Sequence, residues 1–327
     1  MSRRWSAVLL ALGVALVMLV PALAPTTAQT PARGEQLQVV ASFSILGDLV
    51  QRVGGEAVQV TTLIGPGVDA HTYDPAPADL VVLAEADIIF ENGLGFEPWL
   101  DGFFASTQPP GARVAVSDGV TPRAFGAGDE GGTGGDEATD AGDEHGQFDP
   151  HIWHDVANAI VMTGTIRDAL VAADPANASL YEANAAAAIA SLEALDASIR
   201  EQVATLPEAR RTLVTSHDTF GYFADAYGFT VLGTALGSLS TEAGDPSARA
   251  IATLIDEIKA AGVPAIFAEN VANPDLMASI AAEAGVALAP PLYSDALGPA
   301  GSAGETYEEV MRSNVGTIVT ALAGDGG

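Results

Sequence analysis

Five histidines occur in these 327 residues, and four of them fall where a chain of alternating strands and helices would make loops. His71 lies in Gly65-Pro-Gly-Val-Asp-Ala-His-Thr-Tyr-Asp-Pro-Ala-Pro-Ala-Asp79. His151 and His154 share Asp149-Pro-His-Ile-Trp-His-Asp155, and His217 sits in Thr215-Ser-His-Asp-Thr-Phe220. Imidazole nitrogen suits zinc and its transition-series neighbours, whereas carboxylate suits harder ions. Cysteine is absent, which removes thiolate sites, disulfides, thiol nucleophiles and any lipid-modified cysteine. Closing a tetrahedral site without thiolates takes three imidazoles and one carboxylate. Asp295, in Pro291-Leu-Tyr-Ser-Asp-Ala-Leu-Gly298 after the apolar run Val286 to Ala289, is the best-placed carboxylate.

Elements that alternate along the whole chain must bring these loops together. Short β-rich runs and amphipathic stretches begin at Leu37 to Phe43, Ser44 to Val53 and Val58 to Leu63. They continue through a helix at Pro77 to Glu85, a strand at Asp87 to Glu91, a helix at Glu97 to Ser106 and a strand near Arg113 to Val116. This βαβ rhythm predicts a parallel sheet with helices on both faces. A helix follows Asp155 up to about Ala172. A longer one begins at Asp174-Pro175, an N-cap acid followed by proline at the first helical position. Its apolar residues Ile189, Leu192, Leu195, Ile199, Val203 and Leu206 step by threes and fours along one face. A rod of this kind in mid-chain predicts a rigid strut about 45 Å long. A second βα series runs from Thr212 to a last helix ending near Ala323.

The expected architecture is α/β: two βα lobes with largely parallel sheets, joined by one long rigid interlobe helix, with a metal cleft between the lobes. The first lobe spans 36–172, the connecting helix 173–207 and the second lobe 208–327. In open parallel sheets, ligands sit beyond the carboxyl ends of the strands, which is where the histidine loops fall. Residues 124–147 hold eight glycines, seven acids, His145 and no base, the composition of a solvated surface loop and of a weak cation collector. Residues 1–28 read as a secretory signal: Arg3 and Arg4, an apolar run to Ala24, and small residues before a cut after Ala28, with an uncleaved anchor as the alternative. Later stretches read as too interrupted by charge to span a bilayer. Forty-two acids against 13 bases leave a net charge of −29, which argues against nucleic acid as a partner.

Taken in order, the His71 segment, Asp-Pro-His-Ile-Trp, Thr-Ser-His-Asp-Thr-Phe-Gly-Tyr-Phe-Ala-Asp-Ala-Tyr-Gly and Tyr-Ser-Asp-Ala-Leu resemble the metal-binding solute-receptor family of bacterial ABC importers. That family includes high-affinity zinc uptake receptors and adhesin-like manganese lipoproteins. The resemblance covers essentially all of the chain beyond the leader. It implies metal ligands His71, His151, His217 and Asp295, and the helix from Asp174 as the rigid interlobe connector. It also implies an exported, monomeric receptor that delivers a divalent metal to a membrane permease and its ATPase. The acidic segment departs from the histidine-rich loop of the zinc receptors, since His145 is its only histidine. Manganese receptors of the family commonly carry glutamate where this chain has His217. The three-nitrogen, one-oxygen set therefore resembles the zinc members, with manganese as the alternative.

His154, three residues after His151, is able to reach the same helical face, but reads rather as a supporting or surface residue. Asp149 and Asp218 are placed to orient imidazoles, with helix capping an equal account of Asp218. Trp153, Tyr222 and Phe223 read as packing, and Asn270 as a cleft residue or a turn. The rival from another class is an exported zinc hydrolase. Neither a His-Glu-x-x-His helix, a Gly-x-Ser-x-Gly elbow nor a P-loop occurs, and a fourth protein ligand at Asp295 would close the site to water. A structural or adhesive surface protein is the third reading.

Overall fold

The computed structural model describes residues 36–124, 148–241 and 246–324. The leader at 1–28 and the acidic segment beyond Ala124 lie outside the described residues. Four strands of the first half, β1 (Leu37–Phe43), β2 (Val58–Ile64), β3 (Ile88–Glu91) and β4 (Ala112–Ala115), make one parallel sheet in the order β2-β1-β3-β4. Strand β1 reads Val-Val-Ala-Ser-Phe in its buried part. Burial on both faces suits a run without polar alternation, as a parallel sheet covered by helices requires. Helices α1 (Ser44–Gly54), α2 (Pro77–Glu85) and α3 (Pro98–Thr107) make the connections, and the last two start with proline at the first helical position.

The second half is built differently. Strands β5 (Thr212–Thr215) and β6 (Thr230–Thr234) form one parallel pair, and β7 (Ala265–Glu269) and β8 (Ala287–Leu292) another. Strands β5 and β7 pack side by side without a shared ladder. Helices α6 (Gly221–Tyr227), α7 (Ala248–Ala261), α8 (Asp275–Ala284) and α9 (Tyr307–Ala323) complete this half. Ser247 caps α7 by accepting from Ala250 N–H, and α7 ends on Gly262 at φ 65°, a left-handed stop that glycine adopts without penalty. Thr306 and Glu309 form a reciprocal capping box at the start of α9.

Between the halves, α4 (Val156–Ala173) is capped by Asp155, whose side chain accepts from Ala157 N–H. Against the sequence expectation, α4 is long and apolar enough by composition to span a bilayer. Its Met162, Ile166 and Leu170 instead fill the core. The long helix, α5 (Ala178–Ala204), has 27 residues, so it runs about 40 Å rather than 45 Å. The turn that Asp174 and Pro175 open is a separate 3-10 turn, Pro175–Asn177, tied by Asn177 Nδ2 donating to Asp174 Oδ2. The buried stripe of α5 is Tyr181, Ala185, Ala188, Leu192, Leu195, Ile199 and Val203. Ile189 lies off it, half-buried, because Ala188 takes the inward place one turn below Leu192.

Helix α5 packs on α1, α4 and α9. One core cluster therefore runs through both halves, from Phe43, Leu46 and Phe90 through Trp153, Leu192 and Ile199 to Phe223, Tyr307 and Val315. Fully burying each such side chain contributes about 1.5–3 kcal/mol. A continuous core of this kind resists wide hinge opening, because separation would expose apolar surface on both sides.

Candidate metal centre

Four loops deliver the four side chains that the resemblance implied, three of them following strands and one leading into a helix. His71 lies between β2 and α2, and Asp69 Oδ1 accepts its backbone N–H at 3.0 Å. His151 precedes a 3-10 turn, Ile152–His154, that leads into α4. His217 follows β5 by two residues, and Asp295 follows β8 by three. Ligand atoms of His71, His151, His217 and Asp295 all lie within 4.8 Å of one another.

The individual spacings are tighter. His71 Nε2 is 3.2 Å from His151 Nε2 and 3.5 Å from Asp295 Oδ2. His217 Nε2 is 3.1 Å from Asp295 Oδ2, and His151 Nε2 is 3.7 Å from Asp295 Oδ1. Ligands 2.0–2.1 Å from a tetrahedral zinc stand about 3.3 Å apart, so one cation fits among these atoms without rearrangement. His151, His217 and Asp295 are fully buried, and His71 keeps 8% of its side chain exposed on the open side. Rings form the wall: Phe96 stands edge-on to His71 at 5.1 Å, and Trp153 to His151 at 5.4 Å.

Each donor is held from behind. Asp149 Oδ1 accepts from His151 Nδ1 at 2.8 Å and from the His151 backbone N–H at 3.0 Å, which leaves Nε2 facing the other donors. His217 Nδ1 lies 2.5 Å from Glu269 Oε2, while Glu269 Oε1 accepts the backbone N–H groups of Ser216 and His217. Thr219 Oγ1 donates to Asp295 Oδ1 at 3.4 Å. The Asp295 loop is pinned by Asn270, which donates to Ala296 O and accepts from Ser294 N–H, and by Asn314, which does the same for Tyr293 O and Tyr293 N–H. Burial opposes charge on His217, yet Glu269 and Asp295 outweigh it and raise its pKa well above the usual histidine value. Burial likewise opposes charge on Asp295, but His217 above all, with His71 and His151, holds its carboxyl well below the ordinary range.

His154 does not join the group. It is fully buried rather than at the surface, lies against Phe220 with ring centroids 4.4 Å apart, and neither ring nitrogen has a hydrogen-bond partner. Burial, helped by the neighbouring His151, lowers its pKa to about 3, so it is a neutral ring. Asp149 takes the orienting role foreseen for it. Asp218 takes neither of its two, since α6 starts from Phe220 without a side-chain cap and no hydrogen bond to the Asp218 carboxylate is present among the described residues. Asn270 proves to face the cleft loop. Glu269 was missed by sequence reasoning; a lone acid closing the buried apolar run Ala265-Ile-Phe-Ala268 is the signal that would have found it.

Known proteins resemble this chain over most of its length. The manganese-binding lipoprotein MntA of Halalkalibacterium halodurans is 36% identical over 295 residues, covering 90% of this chain and 91% of its own. The iron ABC transporter substrate-binding lipoprotein MtsA of Streptococcus pyogenes is 28% identical over 321 residues, covering 96% of this chain and 98% of its own. The periplasmic zinc-binding protein TroA of Treponema pallidum superposes with a TM-score of 0.77 at 31% identity, over 88% of this chain and 99% of that one. The family described as ZnuA, zinc-uptake complex component A periplasmic, matches residues 39–321, and the chain belongs to it.

Proposed function

We propose that His71, His151, His217 and Asp295 together hold one divalent transition-metal ion as cargo, and that the chain is the receptor that presents it to an ABC permease and its ATPase on the outer face of the membrane. The observation that carries this reading is the spacing of four donor atoms from four distant loops around one point. Segments 36–172 and 208–327 serve as the two lobes and 173–207 as the strut between them. The shared core favours release through small tilts and loop movement. Permease and ATPase are the partners of an importer, and the relative MtsA is named an ABC transporter substrate-binding lipoprotein.

Zinc is the cargo that the donor set favours, because three imidazoles and one carboxylate strengthen the preference for zinc over manganese. Manganese is the second reading. It is supported by the manganese-binding name of a relative 36% identical to this chain, and by the placing of both Asp295 oxygens within 3.7 Å of ligand nitrogens, which suits a metal that takes more oxygen. MntA and MtsA are named lipoproteins, whereas no cysteine is present here to carry an acyl chain.

The test is titration of chelator-stripped protein at about pH 7.5 with zinc and with manganese, each in competition with a chromogenic chelator. One-to-one binding that is lost in His217→Ala supports the reading, and no binding of either ion sinks it. Metal analysis of protein purified from its native envelope then decides between the two ions. A hydrolase would instead show turnover of ester, phosphate or amide substrates that depends on zinc.

A further inference from the structure

We infer that Arg123 is a positioning residue for the metal site, holding the Asp149 carboxylate that in turn orients His151, and wedged between the two chain segments that carry His151 and His217. This rests on the metal-binding reading of His151. Asp149 is fully buried and asymmetric in its use. Its Oδ1 serves His151 twice, while Oδ2 has no hydrogen bond and faces Arg123 Nη1 at 3.5 Å, an atom equally without a hydrogen-bond partner. A carboxylate out of water needs a charge partner, and among the described residues Arg123 is the only arginine or lysine that pairs with a carboxylate touching a proposed ligand.

The same residue grips the second half of the molecule. Arg123 Nε donates to Asp225 Oδ2 at 3.0 Å, and the Arg123 backbone N–H donates to Tyr222 Oη at 2.8 Å, both on α6. The Arg123 carbonyl accepts from Asp149 N–H at 2.8 Å. Gly221, the first residue of α6 and four residues after His217, closes on the pair: a Cβ there would lie 2.5 Å from Arg123 Nη1 and 2.7 Å from Asp149 Oδ2. Glycine is what allows the helix start to press on the guanidinium and carboxylate together. Arg123 therefore fixes where Asp149 can be, Asp149 fixes the ring plane of His151, and α6 couples both to the His217 loop. Partners of this kind set ligand orientation as much as the ligands do.

Cobalt(II), whose visible bands report ligand geometry, is the probe, added to the full chain after chelator stripping. Arg123→Gln should change the positions and intensities of the cobalt bands and weaken zinc affinity about 10- to 100-fold. Arg123→Lys, which keeps the charge without the planar fork, should recover most of the affinity and part of the spectrum. Gly221→Ala, which keeps both charges but forces them apart, should shift the bands in the same direction as Arg123→Gln. Arg200→Gln is the control for a merely structural tie, since Arg200 clamps α6 from α5 through Ala226 O and the Tyr227 ring and pairs with Asp196 rather than with a carboxylate that touches a ligand. It should lower thermal stability and leave the cobalt spectrum alone. Wild-type bands and affinity in Arg123→Gln, or the same spectral change in Arg200→Gln, would overturn the inference while leaving the metal site standing. Wild-type protein that binds neither cobalt nor zinc would overturn both.

Discussion

The segments around His151 and His217 solve one problem in two ways. Behind His151, the carboxylate comes from Asp149, two residues upstream in the same turn, and an arginine lies beyond it. Behind His217, the carboxylate comes from Glu269 at the end of β7, and its other oxygen caps the Ser216 and His217 N–H groups where a shared β5–β7 ladder is missing. Glu269 has no arginine or lysine among the described residues. The first arrangement is local and balanced in charge; the second is made by topology and sets two buried carboxylates, Glu269 and Asp295, on the His217 ring. A divalent cation is the charge that would balance those two; without it, the two carboxylates raise the His217 pKa well above its usual value.

Removing a donor should have the largest effect on this picture. His217→Ala or Asp295→Ala deletes one of four ligands and should abolish measurable one-to-one zinc binding in chelator competition. Comparable affinity in Asp295→Ala would remove Asp295 from the site. Next come the carboxylates behind the rings, and here the two segments should part. Glu269→Gln and Asp149→Asn should each weaken zinc about 10- to 100-fold. Only Glu269→Gln should change proton release. Because the His217 pKa is raised well above 6.5, zinc binding at pH 7.5 should expel about one proton, read from calorimetry in buffers of different ionisation enthalpy. The number should fall in Glu269→Gln and hold in Asp149→Asn; equal proton release in all three proteins would dissolve the contrast.

The same contrast fixes a pH dependence of the metal-free fold. His217 binds its proton more tightly folded than unfolded, so its contribution is fully present below about pH 6.5 and is lost as pH rises through the higher folded value. Asp295 runs the other way at the acid end: its contribution is present above about pH 3.8 and is lost as pH falls through the lowered folded value. Chelated wild-type protein should therefore lose melting temperature on moving from pH 7 to pH 9 by more than His217→Ala does. An identical loss in the two proteins would mean that His217 is not charged in the fold.

How much of this was legible follows the same division. The βα rhythm, α2 at Pro77–Glu85, the helix that follows Asp155 and the strand ends before His217 and Asp295 depend on local pattern, and the sequence carries them. Asp149 was legible because its partner is two residues away. Glu269 was not, because its partner is 52 residues away and depends on β5 and β7 coming together without a ladder, which no periodicity encodes. Ile189 failed for a finer reason: a stripe stepping by threes and fours admits either 188 or 189, and packing against α1 and α4 makes the choice. Arg123 had no signal at all, since an isolated arginine before a glycine-rich stretch reads as solvated surface.

His154 sharpens the comparison from the opposite side, with the smallest expected effect. It stands three residues from His151 and is as buried as His217, yet among the described residues no carboxylate bonds to it and neither nitrogen has a partner. A leucine there would keep most of the contact with Phe220 and remove two buried polar atoms, a change of about 1–3 kcal/mol in favour of the fold if nothing else relaxes. His154→Leu should therefore raise the melting temperature by a few degrees and leave zinc affinity unchanged. The gain should also grow in acid. With a folded pKa of about 3, His154 takes up its proton only on unfolding between roughly pH 6.5 and 3, so it drains stability as pH falls, opposite in sign to His217. A larger rise in melting temperature at pH 5 than at pH 7.5 is the expected result. A substitution that costs stability, or one that weakens zinc as Asp149→Asn does, would show instead that the unpartnered ring belongs to the site.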